Sequence, residues 1–292
     1  MAAKKDKGRQ SAFELSPVLD GYFWIDGGAM FGAVPKVLWS KLAVPDRKNR
    51  VRLSLNCLLI RSADKTILVD TGLGDQYSRK TVELYGMERK NDLFSSLARL
   101  KVDPSQIDYV INTHLHFDHC GGNTKKIDGR YVPAFPNAMY VIQRQEWYSA
   151  SNPDERSRAS YRVNDFKAVE DAGKVMFVDG DAEVVPGVKV LLTNGHTLGH
   201  QSVMITGRAG TALYLGDVMP TTHHLKPHYI TGFDEYPVDL VHRKKDLVER
   251  ALEEKWLLIF EHDPSIIFAH LIEKSGKRSL EPLGAGWTSV SI

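Results

Sequence analysis

The chain has 292 residues, of which 42% are hydrophobic and 25% charged, and a formal net charge of +2. That balance belongs to a soluble globular protein long enough to bury its own core without disulfides, and no basic block marks a nucleic-acid footprint. Cys57 and Cys120 form neither a disulfide framework nor a CxxC pair, which fits a reducing cytoplasm, and with 11 histidines any metal site should use nitrogen and oxygen ligands.

Residues 1–15, with Lys4, Lys5, Lys7 and Arg9, read as a disordered, solvated arm, and no apolar run follows it to make a signal peptide or a membrane anchor. Residues 16–292 read as one domain without internal repeat or long linker. Asp20–Asp26 alternates aromatic and polar residues, and Leu53–Ile60 and Thr66–Asp70 flank a turn, as in a hairpin. Asn91–Leu100 has a helical pattern with Leu93, Leu97 and Leu100 on one face. Tyr109–Asn112 is a short β-prone run. Ala138–Ile142 reads as a strand, Arg144–Ala150 and Asn164–Ala172 as helices, and Val175–Val178, Val188–Thr193, Ser202–Ile205 and Ala212–Leu215 as strands. Asp239 is expected to cap a long amphipathic helix running to Trp256. Leu257–Phe260 and Ile266–Ala269 close the pattern as paired strands. Strands interspersed with helices in both halves suggest an α+β protein with two sheets face to face and helices outside.

The chemistry concentrates in Thr113-His114-Leu115-His116-Phe117-Asp118-His119-Cys120-Gly121-Gly122, which places four ligand-type side chains within six residues. His114 and His116 are two apart, so on extended backbone both imidazoles face one side. Asp118 and His119 follow where a glycine pair turns the chain, which can swing them towards a second metal. Burying this set is costly unless it binds something; the alternative is a solvated histidine loop. Further ligand-type residues stand at strand ends: His196 in Gly195-His196-Thr197-Leu198-Gly199-His200, Asp217 after Leu215-Gly216, and His262 after Phe260-Glu261.

In type and order this HxHxDH segment, the GHTxGH segment, the strand-end Asp and the C-terminal His resemble the metallo-β-lactamase superfamily, from about Gly21 to about Ala269. The resemblance implies an αββα sandwich and two divalent metal ions, most simply zinc, with iron, manganese and cobalt open. It implies His114, His116 and His196 as ligands of the first metal, Asp118, His119 and His262 as ligands of the second, and Asp217 as the bridge. A narrower resemblance, carried by Asp26–Lys36, Leu38-Trp39, Pro133–Pro136 and Phe233–Pro237, is to quorum-quenching N-acyl homoserine lactonases of the YtnP type. It implies a hydrolase that opens lactone rings by attack of a metal-bridging hydroxide, with Asp118 also returning the proton to the leaving alkoxide as general acid. Pro220 stands where better-studied lactonases carry a Tyr, which leaves the preferred substrate open. No Gly-x-Ser-x-Gly segment offers a serine nucleophile.

Asp70, in Val69-Asp70-Thr71-Gly72, is expected behind a ligand histidine, where it would fix the tautomer, or else to form a turn; Asp263 poses the same choice. His200 reads as a packing residue or a support behind the ligands rather than a ligand, and Cys120 as a buried thiol. Candidates for the substrate wall are Phe23, Trp24, Met30, Phe31, His223, His224 and Tyr236, set against ordinary core or exposed roles. The partner implied is a small lactone or ester, with no nucleic acid and no membrane; a homodimer is left open. The rival activities are a phosphotriesterase or arylesterase on the same metals, and, further off, a di-iron redox protein, for which the chain lacks a flavin domain.

Overall fold

Period-two burial sets the architecture. In the computed structural model, which describes residues 11–284 and 288–292, strand β1 (Glu14–Asp26) leads through short helices α1 (Gly27–Phe31) and α2 (Lys36–Trp39) to β2 (Arg50–Arg61) and β3 (Thr66–Val69). Helices α3 (Arg79–Tyr85) and α4 (Leu93–Arg99), strand β4 (Tyr109–Ile111) and the one-turn helix α5 (Phe117–Cys120) follow. A small hairpin, β5 (Thr124–Ile127) and β6 (Arg130–Pro133), precedes β7 (Met139–Gln143), helices α6 (Arg144–Ser151) and α7 (Val163–Asp171), and β8 (Val175–Val178). The second half carries β9 (Ala182–Val185), β10 (Val188–Leu192), β11 (Gln201–Thr206), β12 (Thr211–Tyr214), helix α8 (Pro237–Glu253), β13 (Leu257–Ile259), β14 (Phe268–Lys274), β15 (Lys277–Pro282) and β16 (Val290–Ser291).

Two seven-stranded sheets result, ordered β16-β1-β2-β3-β4-β7-β8 and β15-β14-β13-β12-β11-β10-β9. Both are mixed: β3, β4, β7 and β8 run parallel in the first, and β12 and β13 in the second. Leu58, Ile60, Ile67, Val69 and Ile111 from the first sheet share one core with Val190, Val203, Ala212, Tyr214 and Ile259 from the second. The residues between them point the other way. Leu59, Leu68 and Val110 pack on Leu93 and Leu97 of α4 and Phe166 of α7, while Leu213 and Leu258 pack on Leu240, Leu247 and Val248 of α8. The layering is α-β-β-α. Among the described residues no helix is long and apolar enough to cross a membrane.

Several expectations need correction. Residues 1–10 of the arm lie outside the described residues, but Glu14 and Leu15 belong to β1, where they pair with β2 and β16. Asp239 does not cap α8: Tyr236 is the cap residue and Pro237 opens the helix, leaving Asp239 inside the first turn. The strand expected from Ile266 begins at Phe268, because the amides of Ser265 and Ile266 are held by Asp263 Oδ1 in a turn, 2.9 Å each.

Candidate metal centre

The C-terminal ends of β3, β4, β10, β12 and β13 meet at one end of the sandwich, and each delivers a side chain. After β4 the chain bends at Thr113, is extended at His116 and then turns into α5, which brings His119 back against the His114 ring. The turn depends on bare backbone: a Cβ on Gly121 would lie 2.0 Å from the Leu73 carbonyl oxygen, and one on Gly74 2.1 Å from that of Gly121. Only glycine allows the 71–74 segment to cross there.

Two groups of ligand atoms form. His114, His116 and His196 converge, with His116 Nδ1 3.1 Å from His196 Nε2. His119 and His262 face each other through their Nε2 atoms at 3.2 Å, and Asp118 Oδ2 lies 3.7 Å from both. Asp217 reaches each group: Oδ2 is 3.2 Å from His196 Nε2 and 3.6 Å from His119 Nε2, and Oδ1 is 3.2 Å from His262 Nε2. Glu261 also falls near the second group, but its Oε2 lies 3.0 Å from Nδ1 of His119. An imidazole offers one nitrogen to a given ion, and the Nε2 edge is the one facing Asp118, Asp217 and His262, so Glu261 stands behind the ring.

The opposite nitrogens are fixed. His119 Nδ1 donates to Asp70 at 3.2 Å, His196 Nδ1 to Asp234 at 2.8 Å, His262 Nδ1 to the Ser54 carbonyl at 2.8 Å, and His114 Nδ1 to Thr113 Oγ1 at 3.1 Å. Asp70 in turn accepts from the amide and hydroxyl of Thr113, 2.7 Å each. Such partners set tautomer and ring orientation. Buried Glu146 braces both histidine segments, accepting from the Leu115 amide at 2.9 Å and the Thr197 hydroxyl at 2.6 Å. Asp234, Glu146 and Glu261 escaped the sequence reading because no motif spacing links them to the ligands they serve.

Burial works against charge on His119, yet Glu261, Asp118 and Asp217 outweigh it and hold its pKa well above the usual imidazole range. His262, opposed by burial and favoured by Asp217, is pushed up to about 9. Burial and the neighbouring histidines push His114 and His116 down. Burial would raise Asp217, but His119, His262 and His196 hold it well below the carboxylate range. Buried carboxylates here call for positive charge, and among the described residues the ion-pair partners of Asp118, Asp217 and Glu261 are all imidazoles. The Nε2 atom of His114 is buried without a hydrogen-bond partner, His116 turns its Nδ1 to His196 Nε2, and Asp217 Oδ1 is close to His262 without the alignment of a hydrogen bond. Unpaired buried donors and acceptors aimed at one space are what a cation site presents. The residues fit two divalent ions.

His200 is spent elsewhere: Nε2 accepts the Asp217 amide at 3.0 Å and Nδ1 meets the Thr193 hydroxyl at 2.8 Å. The Cys120 thiol is buried and donates to the Leu115 carbonyl at 3.2 Å. Asp263 organises a turn, with Oδ2 accepting from Thr222.

The two groups form the floor of an open cleft of about 750 Å³, walled by Phe23, Met30, Leu53, Tyr85, Phe117 and Phe233, with Arg156, Ser160 and Thr231 as its polar wall residues. Of the wall candidates, Phe23 and Met30 line this cleft. The other wall candidates do not line this cleft. Trp24 points to the opposite face of β1, where its indole donates to Glu88 at 2.8 Å. Phe31 lies behind Met30, stacked between Trp39 and His224 at 5.3 and 5.0 Å. His224 is buried and donates from Nε2 to the Met30 carbonyl at 3.0 Å; burial and then the nearby Lys244 charge push its pKa down to about 3. His223 lines a neighbouring groove with Leu42 and Val44, and Tyr236 is exposed at the start of α8. Pro220 offers the cleft no polar side chain; its carbonyl accepts the His262 amide at 2.9 Å.

The family model for the metallo-beta-lactamase superfamily matches residues 50–268. An N-acyl homoserine lactonase from a Bacillus species is 33% identical over 221 residues, covering 71% of this chain and 80% of that protein. A probable metal-dependent hydrolase from Staphylococcus aureus superposes with a TM-score of 0.87 at 28% identity, over 95% of this chain and 99% of that one. A further solved structure, an N-acyl homoserine lactone hydrolase with N-hexanoyl-L-homoserine bound at its catalytic metal centre, superposes with a TM-score of 0.67 at 27% identity, over 86% and 93%.

Proposed function

The chain belongs to the metallo-beta-lactamase superfamily, and we propose that it is a two-metal hydrolase that opens the ring of N-acyl homoserine lactones. The observation that carries this reading is the reach of Asp217 into both ligand groups at the floor of a largely apolar cleft. His114, His116 and His196 would hold one ion, Asp118, His119 and His262 the other, and Asp217 both. The nitrogen and oxygen donor set suits zinc. A bound pair of divalent ions supplies Lewis acidity, which acidifies water and polarises a carbonyl.

The protein's own groups do the rest. Phe23, Met30, Leu53, Phe117 and Phe233 take the acyl chain and exclude water around the scissile ester. Thr231, Ser160 and Arg156 offer polar contacts for an amide on the same wall. Asp118 Oδ2 accepts a proton when water adds to the carbonyl carbon and returns it to the ring oxygen as the C–O bond breaks, so that the product leaves as an alcohol. The buried thiols of Cys57 and Cys120 suit a reducing cytoplasm.

The test is a hydrolysis panel: homoserine lactones of several acyl lengths, a nitrophenyl ester and an aryl phosphotriester. Lactones should be preferred in kcat/KM, increasingly so with acyl length. A higher kcat/KM on the phosphotriester would overturn the lactonase assignment while keeping the metal centre.

A further inference from the structure

A lysine with no apparent business in the core sits on the buried face of α8. Lys244 is fully buried, and its ammonium donates to the carbonyl of Tyr229. Burial pushes its pKa down to about 7, against the favourable charge of Asp234. Burying an amino group without need is costly, so its surroundings matter. Tyr229 begins the loop 229–236, which does two things at once. Its Asp234 receives the Nδ1 proton of His196, and its Thr231 and Phe233 line the cleft.

The loop has almost no regular structure of its own and is held from outside. The Gly232 amide donates to the Ala29 carbonyl at 2.7 Å, and Arg156 Nη2 donates to the carbonyls of Gly232 and Asp234 at 2.9 and 2.8 Å. The amides of Glu235 and Tyr236 donate to the carbonyls of His196 and Gly195 at 3.0 and 2.8 Å. Within the loop, Asp234 Oδ2 accepts the Thr231 amide at 2.6 Å, which aims Oδ1 at His196. Of the two basic side chains holding the loop, Arg156 is exposed and Lys244 is buried.

Resting on the metal-centre reading above, we propose that Lys244 is a positioning residue for the three-histidine metal position: its hydrogen bond to the Tyr229 carbonyl fixes the 229–234 loop so that Asp234 Oδ1 stays in hydrogen-bond reach of Nδ1 of His196. His196 would then present Nε2 to the ion in one orientation, and the loss of Lys244 would loosen one ion and spare the other.

Zinc affinity, measured by competition with a chromophoric chelator, tests this without reading turnover. Lys244→Met keeps the stem and removes the donor and the charge. One of the two zinc ions should bind about 10–100-fold more weakly, the range for losing a group that orients a ligand, while the other is unchanged. Adding Lys244→Met to Asp234→Asn should weaken zinc no further, because both act on the same hydrogen bond. Unchanged affinity in a folded Lys244→Met protein, or fully additive losses in the double variant, would overturn the proposal. If Lys244→Met does not fold, Arg156→Met decides: it releases the same loop from its exposed side and should weaken the same ion, and unaltered zinc binding there refutes the role of the loop. Wild-type protein that binds no zinc would overturn the metal-centre reading itself, an outcome distinct from a wild-type protein with two ions and a silent Lys244.

Discussion

Asp118 carries two duties that make separable demands. As a ligand it helps hold the second ion, and as an acid it protonates the leaving oxygen. Asp118→Asn keeps size and one ligating oxygen, so kcat on a lactone should fall on the order of 10²–10⁴-fold, with metal retained. A nitrophenyl ester should suffer much less, since its oxygen leaves without a proton. Equal losses on both substrates would leave Asp118 a ligand alone. Asp217 and His200 make a second contrast. Asp217→Ala removes a carboxylate that faces both groups and should deplete both ions. His200→Ala removes the acceptor for the Asp217 amide and the partner of the Thr193 hydroxyl but no group that faces the ions, so it should keep its metal, with activity down by roughly tenfold as for a lost orienting contact. Metal analysis of the two variants checks this ordering. The histidines and aspartates that converge at this end of the sandwich were legible in the sequence because strand-end placement and local spacing report them directly. The wall was not. Phe23 and Trp24 are equivalent candidates by composition, and a register shift between Leu19 and Tyr22 in β1 resets which face each takes, which alternation cannot reveal.

At the scale of elements, the legible pieces are those long enough to show a period. Strands β2, β3 and β10 to β13, and helices α4, α7 and α8, were all anticipated within a few residues. Helices α1 and α2 have five and four residues, too few to show a helical stripe, and the β5–β6 hairpin buries only Thr124 among its strand residues. The α5 turn depends instead on close backbone approach. Gly121→Ala would drive a Cβ into the Leu73 carbonyl, so stability should fall by about 1–3 kcal/mol, the usual cost of overpacking. Because α5 carries Asp118 and His119, the second ion should be the one lost. Urea unfolding alongside metal analysis measures both; an alanine variant of native stability and full metal content would contradict the account of this turn.

For the whole molecule, the sandwich and the candidate centre depend on each other. Asp70, His114, His116 and His119 follow strands of the first sheet, while His196, Asp217 and His262 follow strands of the second. Ions held between them would tie the two sheets together at one end. Stripping metal with a chelator should therefore lower Tm, and zinc at about 1,000 times its Kd should restore roughly 4 kcal/mol. A Tm indifferent to chelator and zinc would place the ions outside this junction.

The central claim is tested most directly by titrating zinc into metal-depleted protein while following ring opening of an N-acyl homoserine lactone by proton release. Activity should be absent at the start, rise with added zinc and reach its plateau at about two ions per chain. Full turnover in the metal-free protein, or a plateau at a single ion, would contradict the two-metal centre built from His114, His116, Asp118, His119, His196, Asp217 and His262.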